Sequence, residues 1–85
     1  MYVHIGKDTI IPSKEIITII DLEKMLINKS MEEIEKELNI ENKITDISEG
    51  NKKTLLLIEN NKKTKGYISN ISSITLAKRL QKEIV

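Results

Sequence analysis

The sequence predicts an α+β fold: a small, mostly antiparallel sheet with two short helices, in the order βββ-α-βββ-α. Three observations point there. Short runs of Ile, Leu, Val and Thr are separated by turns rich in Gly, Pro and Asn. Two longer stretches place apolar residues three and four apart behind a serine. Finally, 85 residues with 39% hydrophobic and 2% aromatic content make one small domain, residues 1–85, with a core of Ile and Leu.

Residues 2–21 read as three short strands joined by two tight turns. Gly6-Lys7-Asp8 supplies the first turn, since Gly takes a positive φ cheaply and Asp bonds its own backbone. Pro12-Ser13-Lys14 supplies the second, since Pro fixes φ and has no amide proton for a central ladder. The third run, 16–20, is β-branched throughout and favours a pleated strand over a helix. It is apolar on both faces, with Ile16 and Ile20 on one and Ile17 and Ile19 on the other, so it requires two covers.

Residues 22–29 are mixed and read as loop or edge. Ser30 reads as an N-cap, with Glu33 completing a capping box. A helix over 31–39 follows, with Met31, Ile34 and Leu38 on one stripe. A strand over 43–48, a hairpin turn at Glu49-Gly50-Asn51-Lys52 and a strand over 54–59 come next. Asn60-Asn61-Lys62-Lys63 makes another hairpin into a last strand over 64–69. Ser72 then caps a helix over 73–84, with Ile74, Ala77, Leu80 and Ile84 as its core stripe and Lys78, Arg79 and Lys82 in its C-terminal half. The runs 16–20 and 55–58 are both apolar on two faces. Two short helices do not readily cover them, so contact between copies of the chain is predicted. The alternative is that both helices take one face while the sheet curls over the other.

The absence of cysteine excludes disulfides, thiolate chemistry and cysteine zinc sites, and suits a reducing cytoplasm. No apolar run approaches the ~20 residues of a membrane span. The first residues lack the basic-then-apolar order of a signal peptide, so a soluble, cytoplasmic protein that interacts with no membrane is expected. The net charge of +1 is unevenly spread. Residues 31–49 hold seven acids against two lysines, and residues 50–66 hold five lysines against one glutamate. One face would repel polyanions and another hold them.

His4 is the sole histidine and has no nearby carboxylate pair in sequence, so a structural or partner-contact role is expected. No nucleophile elbow, phosphate-cradling glycine loop or metal-ligand spacing occurs, so neither an enzyme nor a cofactor is expected. The lysine-bearing turns remain. A strand over 54–59 spans ~20 Å at about 3.3 Å per residue, so Lys52-Lys53 and Lys62-Lys63 fall at opposite ends of the sheet. Without aromatics beside the lysines, base stacking on single strands is not expected.

The opening Met1-Tyr2-Val3-His4-Ile5-Gly6, the run Thr9-Ile10-Ile11-Pro12 and the run Ile16-Ile17-Thr18-Ile19-Ile20-Asp21 resemble the RemA/RemB family of bacterial extracellular-matrix regulators, closer to the RemB branch. Gly50-Asn51-Lys52-Lys53-Thr54 and Thr75-Leu76-Ala77-Lys78-Arg79-Leu80 match in order and spacing, so the resemblance covers nearly the whole chain. It implies a small DNA-binding transcriptional regulator of biofilm-matrix genes. The RemA branch forms rings and carries DNA-contacting arginines in two places. One is just ahead of the third apolar run, where Lys14 and Glu15 stand here, with Glu15 aligned on the arginine. The others directly follow the hairpin glycine, where Asn51, Lys52 and Lys53 stand. Charge is partly kept but the guanidinium fork is lost. Phosphate contact is therefore expected rather than base readout.

The expected function is that of an oligomeric regulator binding duplex DNA through Lys14, Lys52 and Lys53, with Lys7 as a lesser contact. The expected partners are double-stranded DNA and further copies of the chain, in a ring or with a related subunit. The alternative is an interaction module, or a co-assembling subunit, that does not itself bind DNA.

Overall fold

A computed structural model of the chain describes residues 1–81. β1 (Tyr2–Gly6) and β2 (Thr9–Pro12) pair antiparallel as a two-stranded ribbon. β3 (Ile16–Asp21), β4 (Ile44–Asp46), β5 (Thr54–Asn60) and β6 (Lys63–Ser69) form a four-stranded sheet in the order β3-β5-β6-β4. Three helices complete the fold: α1 (Leu22–Asn28), α2 (Met31–Glu37) and α3 (Ser73–Gln81). The class is α+β, as predicted. The element order is not, because one helix more is present and the larger sheet is mixed.

The departures have local causes. After Pro12 the chain makes a 3-10 turn over Ser13–Glu15, anchored by a hydrogen bond from Ser13 N–H to Met1 O of 2.9 Å. That turn carries β3 out of the ribbon and onto β5, so the first three strands do not share one sheet. Residues 22–29, expected as loop or edge, are mostly helix. The Asp21 side chain caps α1 by accepting from Lys24 N–H at 3.2 Å, and Leu22, Met25 and Leu26 turn one face to the core. The capping box of Ser30 and Glu33 on α2 is present as predicted.

The turn at residues 49–52 is not a hairpin between neighbours. β4 pairs in parallel with β6, and β6 lies between β4 and β5. β6 takes that place because the two-residue turn Asn61-Lys62 folds it directly onto β5. Both turn residues have positive φ, 52° and 64°, which suits the twist of a hairpin. On α3, Ser72 Oγ accepts from Thr75 N–H at 3.2 Å, the cap expected. Its core stripe differs from the expected one: Leu76 is buried and Leu80 packs beside it, while Ile74 is 68% exposed and Ala77 faces solvent. Ile84 and Lys82 lie outside the described residues.

Two cores sandwich the four-stranded sheet. On one face the ribbon and α3 pack Val3, Ile5, Ile11 and Leu76 against Leu56 and Ile58. On the other, α1 and α2 pack Leu22 and Ile34 against Leu55, Leu57 and Ile68. Residues 54–58 of β5 are buried throughout. Burying each of its apolar side chains contributes on the order of 1.5–3 kcal/mol. The covers for β5 thus come from the chain itself, because the ribbon and a third helix add to the two helices expected. β3 is an edge strand, and Ile17, at its register shift, remains 52% exposed. No helix among the described residues is long and apolar enough to cross a membrane.

Candidate nucleic-acid interface

β4 sits at one edge of the sheet, and the chain must cross the end of β6 to reach β5. The crossing is a pinned segment. Ile47 N–H donates to Ile68 O at 2.9 Å and Lys53 N–H donates to Ser69 O at 3.0 Å, one bond on either side of the crossing. Lys53 O in turn accepts from Leu22 N–H at 3.0 Å, so Lys53 is held between β6 and the start of α1. Between these anchors Glu49 and Gly50 both adopt positive φ, 54° and 88°, and Asn51 N–H closes the turn onto Ser48 O at 3.1 Å. Lys52 is left exposed and Lys53 half-buried.

Asp46 braces the segment from below. Its Oδ1 accepts from Ser48 N–H at 2.9 Å and from Ser48 Oγ at 2.6 Å, and Ser48 is fully buried. Burial works to raise the Asp46 carboxyl. The two Ser48 hydrogen bonds and the charge of Lys52 outweigh it and hold the group below the ordinary aspartate range.

The β1–β2 turn stands at the same end of the molecule. Gly6, with φ 133°, backs onto Ser69, Ile47 and Asn70, and Lys7 follows it at the exposed tip with φ 48°. Lys7 O lies 2.5 Å from His4 Nε2, and a carbonyl can only accept, so Nε2 carries the proton. Arg79 of α3 donates to His4 O at 2.8 Å and lies 3.4 Å from His4 Nδ1. His4 therefore braces the ribbon against α3. Arg79, which the sequence marked only as a cation late in a helix, stands beside this turn. Nothing in its spacing reveals that, because the contact spans 75 residues.

Lys14 does not join this group. It is exposed in the 3-10 turn ahead of β3, and Ile16 pairs with Ile58 near the far end of β5. Glu15 beside it accepts from Asn60 Nδ2 at 2.8 Å. So Lys7, Lys52 and Lys53 collect at the Ser69 end, while Lys14 stands at the Asn60 end with Lys62 and Lys63, about 20 Å away at strand geometry. The Ser69 end also carries Asp8, Asp46 and Glu49, so its charge is mixed.

No curated protein matches the chain. The family model described as RemA-like, extracellular matrix regulatory protein A-like, matches residues 2–80 and so spans both ribbon and sheet and reaches into α3. The chain therefore belongs to the RemA-like family of extracellular matrix regulatory proteins.

Proposed function

We propose that this chain is an oligomeric, cytoplasmic regulator of extracellular-matrix genes, nearer the RemB branch of its family, that binds duplex DNA through its phosphate backbone. Lys14, Lys52 and Lys53 make the contacts and Lys7 supports them. The observation that carries the reading is the pinned crossing at residues 47–53, which holds Lys52 in solvent on a braced turn. A lysine presented this way loses less freedom on meeting a phosphate than one on a loose loop. One copy offers two or three such charges at one end, too few for tight binding, and Lys14 lies at the other end. Repetition around an assembly supplies the missing contacts, since each weak contact adds through its neighbours. In that assembly Lys14 of one copy meets the same duplex as Lys52 and Lys53 of the next. A binding role, not a catalytic one, is proposed.

Such binding weakens steeply with salt, by about 0.9 in log–log slope per phosphate neutralised. A gel-shift series with Lys52→Glu and Lys53→Glu tests it. Loss of affinity with a shallower salt slope is the expected result, and unchanged binding removes this end from the interface.

A second reading is a co-assembling subunit that binds no DNA itself. It is favoured by the acids Asp8, Asp46 and Glu49 among the same turns and by Glu15 where the RemA branch has arginine. Light scattering with and without duplex separates the two: an assembly that never gains the mass of DNA supports the second.

A further inference from the structure

Away from the Ser69 end, β4 and β6 carry a second concentration of charge that the DNA reading leaves unused. Gly66 N–H donates to Lys43 O at 2.9 Å, and Ile44 pairs with Gly66, which places Lys43, just ahead of β4, beside Lys65 of β6. Alternation along β6 puts Lys63, Lys65 and Tyr67 on one face. Tyr67 packs there against the ribbon-side core, whereas Gly66 faces Leu55, Ile40 and Ile44 on the opposite side. Lys63 and Lys65 themselves are exposed.

This corner is concave. A cleft of about 520 Å³ is lined by Lys43, Thr45, Lys63 and Lys65 together with Asn42 and Ile44. A second hollow of about 320 Å³ shares Lys63 and Lys65 with it and adds Asn60 and Asn61. Among the described residues, no carboxylate lines either hollow. Like charges facing each other across neighbouring strands repel. Among the described residues, the ion pair present joins Lys29 to Glu37, so none of these lysines is neutralised by an acid. Lys65 has a partial answer, its ammonium lying 5.5 Å over the Tyr67 ring.

We propose that this cleft is a binding site for a small polyanion, a molecule carrying a diphosphate or triphosphate group. Three lysines in its lining match the charge of a diphosphate, and the neutral asparagine and threonine side chains offer hydrogen bonds beside them. The volume lies in the range of small-molecule sites, where a largely apolar wall carries a few polar groups. A hollow of this size matches a compact ligand. The site lies at the end of the sheet opposite Lys52 and Lys53, and it stands or falls independently of DNA binding there.

Pyrophosphate is the probe. Calorimetric titration of the full chain should show saturable binding, and a melting scan should rise with pyrophosphate beyond what chloride of equal ionic strength gives. A Lys43→Gln/Lys65→Gln variant should bind at least tenfold more weakly, while its ligand-free melting temperature stays level or rises, because repulsion is relieved. Lys52→Gln should bind as the parent does. Lys63→Gln, on an exposed side chain, repeats the test should the double variant fold poorly. A nucleoside triphosphate run in parallel tells whether a base adds to the phosphate contact. The proposal is overturned by an absence of saturable binding, by binding that survives these substitutions, or by a chloride effect of equal size. Loss of duplex affinity in the variants without any pyrophosphate binding overturns it too, and makes the cleft a DNA contact.

Discussion

Asn60 Nδ2 donates to Glu15 Oε2 at 2.8 Å, across 45 residues of sequence. The bond ties the 3-10 turn at the start of β3 to the end of β5. It gives a structural task to the acid that the family resemblance sets at the place of an arginine. Asn60 is neutral, so Glu15 keeps its charge beside Lys14 and opposes any phosphate that approaches. Glu15→Arg should therefore strengthen duplex binding several-fold at low salt and steepen its salt slope by about one contact per copy. It should cost no more than ~1 kcal/mol of stability, since the lost bond is exposed. Gel shifts across a salt series and a urea melt check both. Unchanged affinity would place this turn outside the interface.

Asp46 makes a different prediction. Removing its carboxylate in Asp46→Ala leaves the buried Ser48 hydroxyl and amide without their acceptor. The loss should be about 1–3 kcal/mol at neutral pH. The pH dependence follows from the lowered pKa: the folded state favours the charged form more than the unfolded state does. The contribution is thus complete above the ordinary aspartate value of 3.8 and disappears as pH falls through the lower folded value. Urea melts should show the gap between parent and variant wide at pH 7 and 5, and narrowing below 3.8.

These two sites also mark where sequence reading ends. Local signals were legible: the capping box of Ser30 and Glu33, the Ser72 cap and the Asn61-Lys62 turn all rest on residues within a few positions of each other. The helix at 22–28 was missed because its cap, Asp21, lies at the end of a β-branched run that reads as strand to its last residue. The insertion of β6 between β4 and β5 was missed because Gly50 gives the same turn signal whether or not a third strand lies between. The candidate site suffered likewise. The exposure of Lys52 could be read, but Arg79 against His4 and Glu15 against Asn60 are contacts that only the folded topology creates.

Ser69 holds the two sheets together. Its hydroxyl donates to Ile5 O and accepts from Ile71 N–H at 3.0 Å, and the residue is fully buried. Ser69→Ala would leave a buried carbonyl and a part-buried amide unpaired, which should cost about 1–3 kcal/mol. The effect should be local as well as global. Amide exchange at Ile71 should quicken more than exchange in the β5–β6 ladder, whose register does not depend on this hydroxyl. Uniform acceleration would instead mean that the ribbon and the four-stranded sheet unfold as one unit.

Lys62 occupies the second turn position at φ 64°, a conformation that costs a side chain about 1–2 kcal/mol relative to glycine. Asn-Gly is the preferred pair for this turn. Allowing for the greater freedom glycine gives the unfolded chain, Lys62→Gly should stabilise the fold by about 1 kcal/mol and raise the melting temperature by roughly 4–8 °C. It also removes a charge from the end of the sheet opposite Lys52 and Lys53. If the Ser69 end alone meets DNA, the variant is more stable and binds duplex as the parent does. If Lys14 contributes from a neighbouring copy, Lys62 lies close to the same phosphates, and affinity falls while stability rises. Melting curves and gel shifts on this one variant thus separate a contact made at one end of each copy from one shared between the ends of adjacent copies.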